Sequence, residues 1–156
     1  MTQSNLANAY RALGRTEESM SLRREVYSGH LRLHGEGHER TLLAAFNYAT
    51  ALLQLQRFEE TKSLMLKTIP VAQRILGDSH DYTISMWSIY TNALYVDPAS
   101  TLDDLREAVM KLEETERTAR RVMGGAHPTT NIIEVSLQQA RAVLRARETP
   151  SSSGSS

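Results

Sequence analysis

One octapeptide pattern is written three times along the chain, and it restricts the possible folds more than any other feature. His34-Gly35-Glu36-Gly37-His38-Glu39-Arg40-Thr41 recurs 42 residues later as Leu76-Gly77-Asp78-Ser79-His80-Asp81-Tyr82-Thr83. It returns after a further 47 as Met123-Gly124-Gly125-Ala126-His127-Pro128-Thr129-Thr130. All three read x-Gly-x-x-His-x-x-Thr. The stretches between them align too: Asn5-Leu6-Ala7 with Asn47-Tyr48-Ala49, Arg15-Thr16-Glu17-Glu18 with Arg57-Phe58-Glu59-Glu60, and Leu22 with Leu64. Arg106-Glu107-Ala108 stands where the second unit has Glu59-Glu60-Thr61. A period of this size marks a repeat array. The five extra residues of the third unit fall near Asp97-Pro98-Ala99-Ser100-Thr101, a turn-rich stretch that predicts a longer loop.

Each unit reads as two helices. Ala45, Tyr48, Ala49 and Leu52 follow i, i+3, i+4, i+7 on one stripe. Thr61, Leu64, Met65, Thr68, Ile69, Ala72, Ile75 and Leu76 continue that spacing over a longer helix, and Gly77 follows as a C-terminal cap where positive φ is cheap. Pro128 is placed for the first position of a helix opened by His127. The expected helices are Met1–Leu13, Glu17–His34, Glu39–Gln56, Glu59–Leu76, Asp81–Val96, Thr101–Met123 and Pro128–Arg147. Pro70 falls inside the fourth and should kink it. The tail from Pro150, rich in Ser and Gly, should be disordered.

Neither stripe can bury itself alone, so the pairs must stack. The fold class is all-α: an α-solenoid, a right-handed superhelix of about three and a half antiparallel pairs, seven helices in all. The array spans 1–147, in units of about 1–37, 38–79 and 80–126 plus a capping helix at 128–147, with the tail at 148–156. The cap follows from polarity. Glu134, Gln138 and Arg141 replace Ala45, Ala49 and Leu52, while Ile133, Leu137, Ala140 and Leu144 stay apolar and can pack back. Residue 1 falls inside a unit without the preceding pattern, so the expectation is a piece of a longer array whose first helix exposes an apolar side.

Composition removes several function classes. Eighteen basic and eighteen acidic residues argue against a nucleic-acid footprint or a polybasic membrane patch. Residues 80–123 carry five basic and eight acidic groups, which marks the region of Asp97, Asp103 and Asp104 as the place for any charged partner surface. No apolar run approaches a membrane span, and no signal peptide is visible. The absence of cysteine excludes disulfides and thiolate sites and fits a cytoplasmic setting.

The 42-residue unit, closed by Leu/Met-Gly-x-x-His-x-x-Thr and reopened by Asn-x-Ala, resembles the tetratricopeptide repeats of the kinesin light chain type. The resemblance covers about Asn5 to Arg147. Gln56 departs from it where Gly14 conforms, Thr61 and Ser19 stand where the family prefers the alanine seen at Ala108, and Ile89 replaces the Asn. It implies a scaffold that binds a peptide or partner protein in a concave groove lined by first helices, whose asparagines grip the peptide backbone. Carried over, Asn5 and Asn47 match the family's Asn; Asn8, Thr50 and Asn92 lie one turn on; Arg11 and Gln54 occupy neighbouring inner positions. Independently of any family, Asn47, Thr50 and Gln54 share one helix face, and an amide supplies both donor and acceptor to an extended backbone. The alternative is a structural or self-association segment of a larger regulator, in which array ends stack.

Enzyme signatures are missing: there is no phosphate loop after a strand, no cysteine nucleophile and no Gly-x-Ser-x-Gly. Glu17-Glu18, Glu59-Glu60 and Glu113-Glu114 read as solvated faces. No cofactor or metal is expected. His38, His80 and His127 are spaced by whole helix pairs, too far apart for one ion; their role is structural, before each first helix. His30, His34 and His38 could supply zinc only if the glycines between them permitted it, and the first two read as half-buried at a helix end. Trp87 and the methionines read as core.

Overall fold

The computed structural model describes the backbone of residues 3–149 and the side chains of residues 12–149. It contains six α-helices: α1 (Gln3–His34), α2 (Glu39–Gln54), α3 (Phe58–Leu76), α4 (Asp81–Val96), α5 (Leu102–Met123) and α6 (Pro128–Glu148). No strand occurs among the described residues.

The repeated octapeptide is the joint between pairs, and all three copies work alike. Each histidine is an N-cap in extended conformation. Its Nδ1 accepts the backbone N–H two residues on, from Arg40, Tyr82 and Thr129 respectively, at 3.1 Å in every copy. This satisfies one of the free donors of a helix start, and it fixes the tautomer, because Nδ1 must carry a lone pair. The threonine three residues later is buried: Thr41, Thr83 and Thr130. The Thr41 hydroxyl donates to the His30 carbonyl across the joint at 3.2 Å, whereas those of Thr83 and Thr130 find no partner. Upstream, Gly77 and Gly124 stop α3 and α5 at φ of 91° and 92°, a backbone region that side chains rarely enter. Pro128 takes the first turn of α6, as expected.

The seven expected helices become six because the first two are one. α1 runs unbroken for 32 residues through Gly14-Arg15-Thr16, where a turn was expected. In the second unit the same turn exists. There Gln56 takes a φ of 59°, and the Arg57 N–H donates to the Leu52 carbonyl. In α1 the Thr16 hydroxyl donates to Ala12 O, four residues back, so a side chain that could cap a new helix serves the existing one.

The third unit's extra residues do not all enlarge a loop. The connection 97–101 is five residues long against three at 55–57, and α5 has 22 residues against 19 in α3. The loop is tied down. Asp97 Oδ1 accepts the Ala99 N–H, Ser100 Oγ donates to the Leu94 carbonyl, and Thr101 and Asp104 form a reciprocal capping box. Arg147 reaches back from α6 to the carbonyls of Ser100 and Pro98 at 2.9 and 3.0 Å. Two of the three aspartates expected to mark an acidic partner surface here are engaged in holding the loop, and the third stays exposed. Asp97 is buried, Asp104 caps α5, and Asp103 pairs with Arg106 at 3.3 Å.

One apolar core runs the length of the stack, from Met20 through Leu42, Leu52, Met65, Ile69, Met86 and Leu112 to Ile133 and Ala140. Met110 departs from the expected core set and is exposed. α3 continues through Pro70, which lies on the exposed side; Leu66, whose carbonyl the missing N–H would have met, is exposed as well. On α6, Ile133, Leu137 and Ala140 are buried against the preceding helices. Glu134 and Arg141 hold Arg120 and Glu113 of α5 at 2.6 and 3.3 Å.

The stack bends. α2 lies against α4 and α4 against α6, while among the described residues the backbone of α3 stays apart from those of α5 and α1. Helices that touch lie inside a curve and helices that splay lie outside it. The inner wall is therefore α2, α4 and α6, with α3 and α5 outside.

Candidate functional site

The 42- and 47-residue shifts align the open positions of the inner wall. Leu43, Ser85 and Ile132 form one row across the three helices. Thr50, Asn92 and Gln139 form a second, and Gln54, Val96 and Val143 a third. Leu43, Val96 and Ile132 are exposed apolar side chains; Asn47, Gln54 and Gln139 are exposed amides. Such a surface offers donors and acceptors to a backbone and contact area to side chains.

The residues expected from the sequence fall into three groups. Asn47 and Gln54 are exposed on α2, and the half-buried Thr50 donates its hydroxyl to the Phe46 carbonyl at 2.9 Å. Asn92 is on the same wall, on α4, but its amide is occupied. Nδ2 donates to the Ser88 carbonyl at 2.7 Å, and Oδ1 accepts the Tyr95 hydroxyl at 2.9 Å. Asn5, Asn8 and Arg11 lie in the backbone of α1, and their side chains fall outside the described residues. Those three positions share one unbroken helix with residues 15–34 instead of forming a separate first helix.

Asn47 has a further peculiarity. The matching positions in the next two units, Ile89 and Ser136, are buried, whereas Asn47 is open. The side of α2 that a first helix of unit one would cover is bare. Arg23 of α1 reaches it, donating to the Asn47 carbonyl at 3.0 Å.

Sequence reasoning missed Leu43, Val96, Ile132 and Gln139. Gln139 was within reach, 47 residues after Asn92 in the repeat register. It joins α6 to α4 with Oε1 3.0 Å from the Tyr95 hydroxyl, whose single proton it shares with Asn92 Oδ1. Burial raises the Tyr95 phenol above its ordinary value, which keeps that donor in place.

The outer side carries a different hollow, an open groove of about 530 Å³ where α3 and α5 diverge. Ile84 and Trp87 of α4 line its floor, and Lys111 lies 4.2 Å from the Trp87 ring centroid. Trp87 is thus half core and half groove floor. Its indole also meets the buried Tyr90 edge-on at 5.8 Å.

The histidine cluster has no ligand geometry. The rings of His30, His34 and His38 stack in sequence at 5.5 and 4.5 Å between centroids. His38 commits Nδ1 to its capping bond, and His34 is exposed where half-burial was expected. Among the described residues, no group of three His, Asp or Glu is arranged to hold a metal ion. Nor is any described helix long and apolar enough to cross a membrane.

The description "Tetratricopeptide repeat" belongs to a family model that matches residues 1–60. The match makes residues 1–60 similar to tetratricopeptide repeats. A search of curated proteins finds no match. The matched stretch covers α1, α2 and the start of α3, and the same Gly-x-x-His-x-x-Thr joint continues beyond it to His127. Tetratricopeptide repeats are in general protein–protein interaction modules on a non-enzymatic helical scaffold.

Proposed function

We propose that this chain is a protein–protein interaction scaffold, similar to the kinesin light chain type of tetratricopeptide array and working in the cytoplasm. It takes an extended peptide, or an extended segment of a partner protein, along the inner wall of α2, α4 and α6. The observation that carries the reading is the alternation on that wall: exposed amides at Asn47, Gln54 and Gln139, interleaved with exposed apolar side chains at Leu43, Val96 and Ile132. Amides pair with a backbone whatever its sequence, and the apolar positions select side chains.

Asn47, Thr50, Gln54 and Asn92 are the proposed contacts within the described side chains. Asn92 serves best as a positioning residue, since its amide already bonds Ser88 and Tyr95. Asn5, Asn8 and Arg11 contribute only when α1 bends at Gly14.

The test is selection of binding peptides from a random library on the full chain, followed by fluorescence polarisation. The paired variant Asn47→Ala/Gln54→Ala is expected to weaken the selected peptide at least tenfold with unchanged helicity. Equal affinity in variant and parent would overturn the inner wall as the site.

A further inference from the structure

The unbroken run of α1 leaves one apolar face bare, and the repeat itself says what belongs on it. Residues 19–30 repeat residues 61–72 of α3 at the 42-residue shift. On α3 this face is covered by α2: Leu64 is 9% exposed and Thr68 5%, and Ala45 and Thr68 line one small pocket between the two helices. On α1 the matching Leu22 is 62% exposed and Val26 50%. The helix that should cover them is residues 3–13, the repeat of 45–55. Those residues instead prolong α1, which extends about 48 Å at 1.5 Å per residue. In this extended conformation they do not reach the face of their own chain.

We propose that residues 3–13 of a second copy cover Leu22 and Val26, so that two chains exchange first helices about a two-fold axis near Gly14. Three observations carry this. First, the arm has the right sequence: Asn5-Leu6-Ala7 repeats Asn47-Tyr48-Ala49, part of the very helix that covers the α3 face. Second, the charges match. In the antiparallel register that sets Gln3 against Val26, Arg11 of one copy falls at the position opposite Glu18 of the other. Third, the hinge is adapted to two conformations. The equivalent turn in the second unit needs a left-handed residue at Gln56, and Gly14 is the residue type that adopts that conformation freely, yet here it is helical. A chain that can either turn or extend at one short segment is suited to exchange. Around Gly14 the surface is hollow, formed with Glu17, Glu18, Ser21 and Leu22, and an added Cβ would meet nothing within 4 Å. A second helix can approach closely there.

The chain has no cysteine, so introduced thiols report cleanly. Gln3 and Val26 take the places of Ala45 and Thr68, which share a pocket in the second unit. Full-length Gln3→Cys and Val26→Cys chains, one of them tagged, are refolded together and oxidised. The expected product is a covalent heterodimer holding one chain of each kind. The double variant Gln3→Cys/Val26→Cys is expected to run at twice the 17.5 kDa chain mass under non-reducing conditions. In light scattering the parent is expected to be a dimer and Leu22→Glu a monomer of unchanged helicity. A disulfide formed within one chain would show that the arm folds back on itself and would overturn the proposal. A parent that stays monomeric at about 100 µM, or a dimer that forms no heterodisulfide, would overturn it as well.

Discussion

Gln56 holds a left-handed backbone, φ 59°, at the repeat position that Gly14 occupies in the middle of a continuous helix. The residue that pays a steric penalty makes the turn, and the residue free of that penalty stays helical. A side chain in this region costs about 1–2 kcal/mol, part of which a glycine gives back through its freer unfolded chain. Gln56→Gly is therefore expected to raise stability by about 1 kcal/mol. Urea unfolding followed by circular dichroism checks it: the midpoint should rise with an unchanged slope.

His80 accepts the Tyr82 N–H through Nδ1, and the same bond recurs at His38 and His127. Losing an N-cap acceptor costs about 1 kcal/mol. His80→Ala should therefore destabilise the chain by about that amount. His80→Asn, which keeps a short acceptor in the same place, should recover most of it. Thermal or urea unfolding of the two variants separates capping from packing, because Asn restores only the acceptor and not the ring.

Tyr90 is buried with its hydroxyl 3.2 and 3.3 Å from the Glu107 carboxylate oxygens. Burial first, and the Glu107 charge second, push its phenol up to about 12 from an ordinary 10.0. The folded state thus favours the protonated phenol. This contribution is fully present below pH 10 and is lost as pH rises towards 12. Tyr27 and Tyr95 are raised as well, chiefly by burial, and act in the same direction. Thermal unfolding between pH 9 and 12 should show a falling stability in the parent and a shallower fall in Tyr90→Phe. Absorbance at about 295 nm should show one late-ionising phenolate fewer in the variant.

Helices α2 to α6 were legible because their apolar stripes, capping histidines and closing glycines all agree. The continuity of α1 was not, because Gly14-Arg15-Thr16 resembles the working turn at Gln56-Arg57. What differs there is tertiary. Arg57 lies 3.9 Å from Met20 of α1, a contact across 37 residues that no local pattern encodes, whereas its pair with Glu60 at 2.6 Å has the same residue types at Arg15 and Glu18. The third unit's extra residues were located correctly, but their division between the loop and α5 depends on Arg147 arriving from α6. The inner wall was half legible. Asn47, Thr50 and Gln54 lie on one helix and follow from its period. The engagement of Asn92 by Tyr95, itself bound to Gln139, requires α4 and α6 to meet first.

The central claim is that partners bind on the inside of the curve. Backbone amide shifts of the ¹⁵N-labelled full chain, titrated with a peptide selected on it, test this most directly. The account predicts that the largest changes fall on Leu43, Asn47, Gln54, Val96, Ile132 and Gln139. Changes centred on Trp87, Lys111 and Arg121, in the groove between α3 and α5, would contradict it.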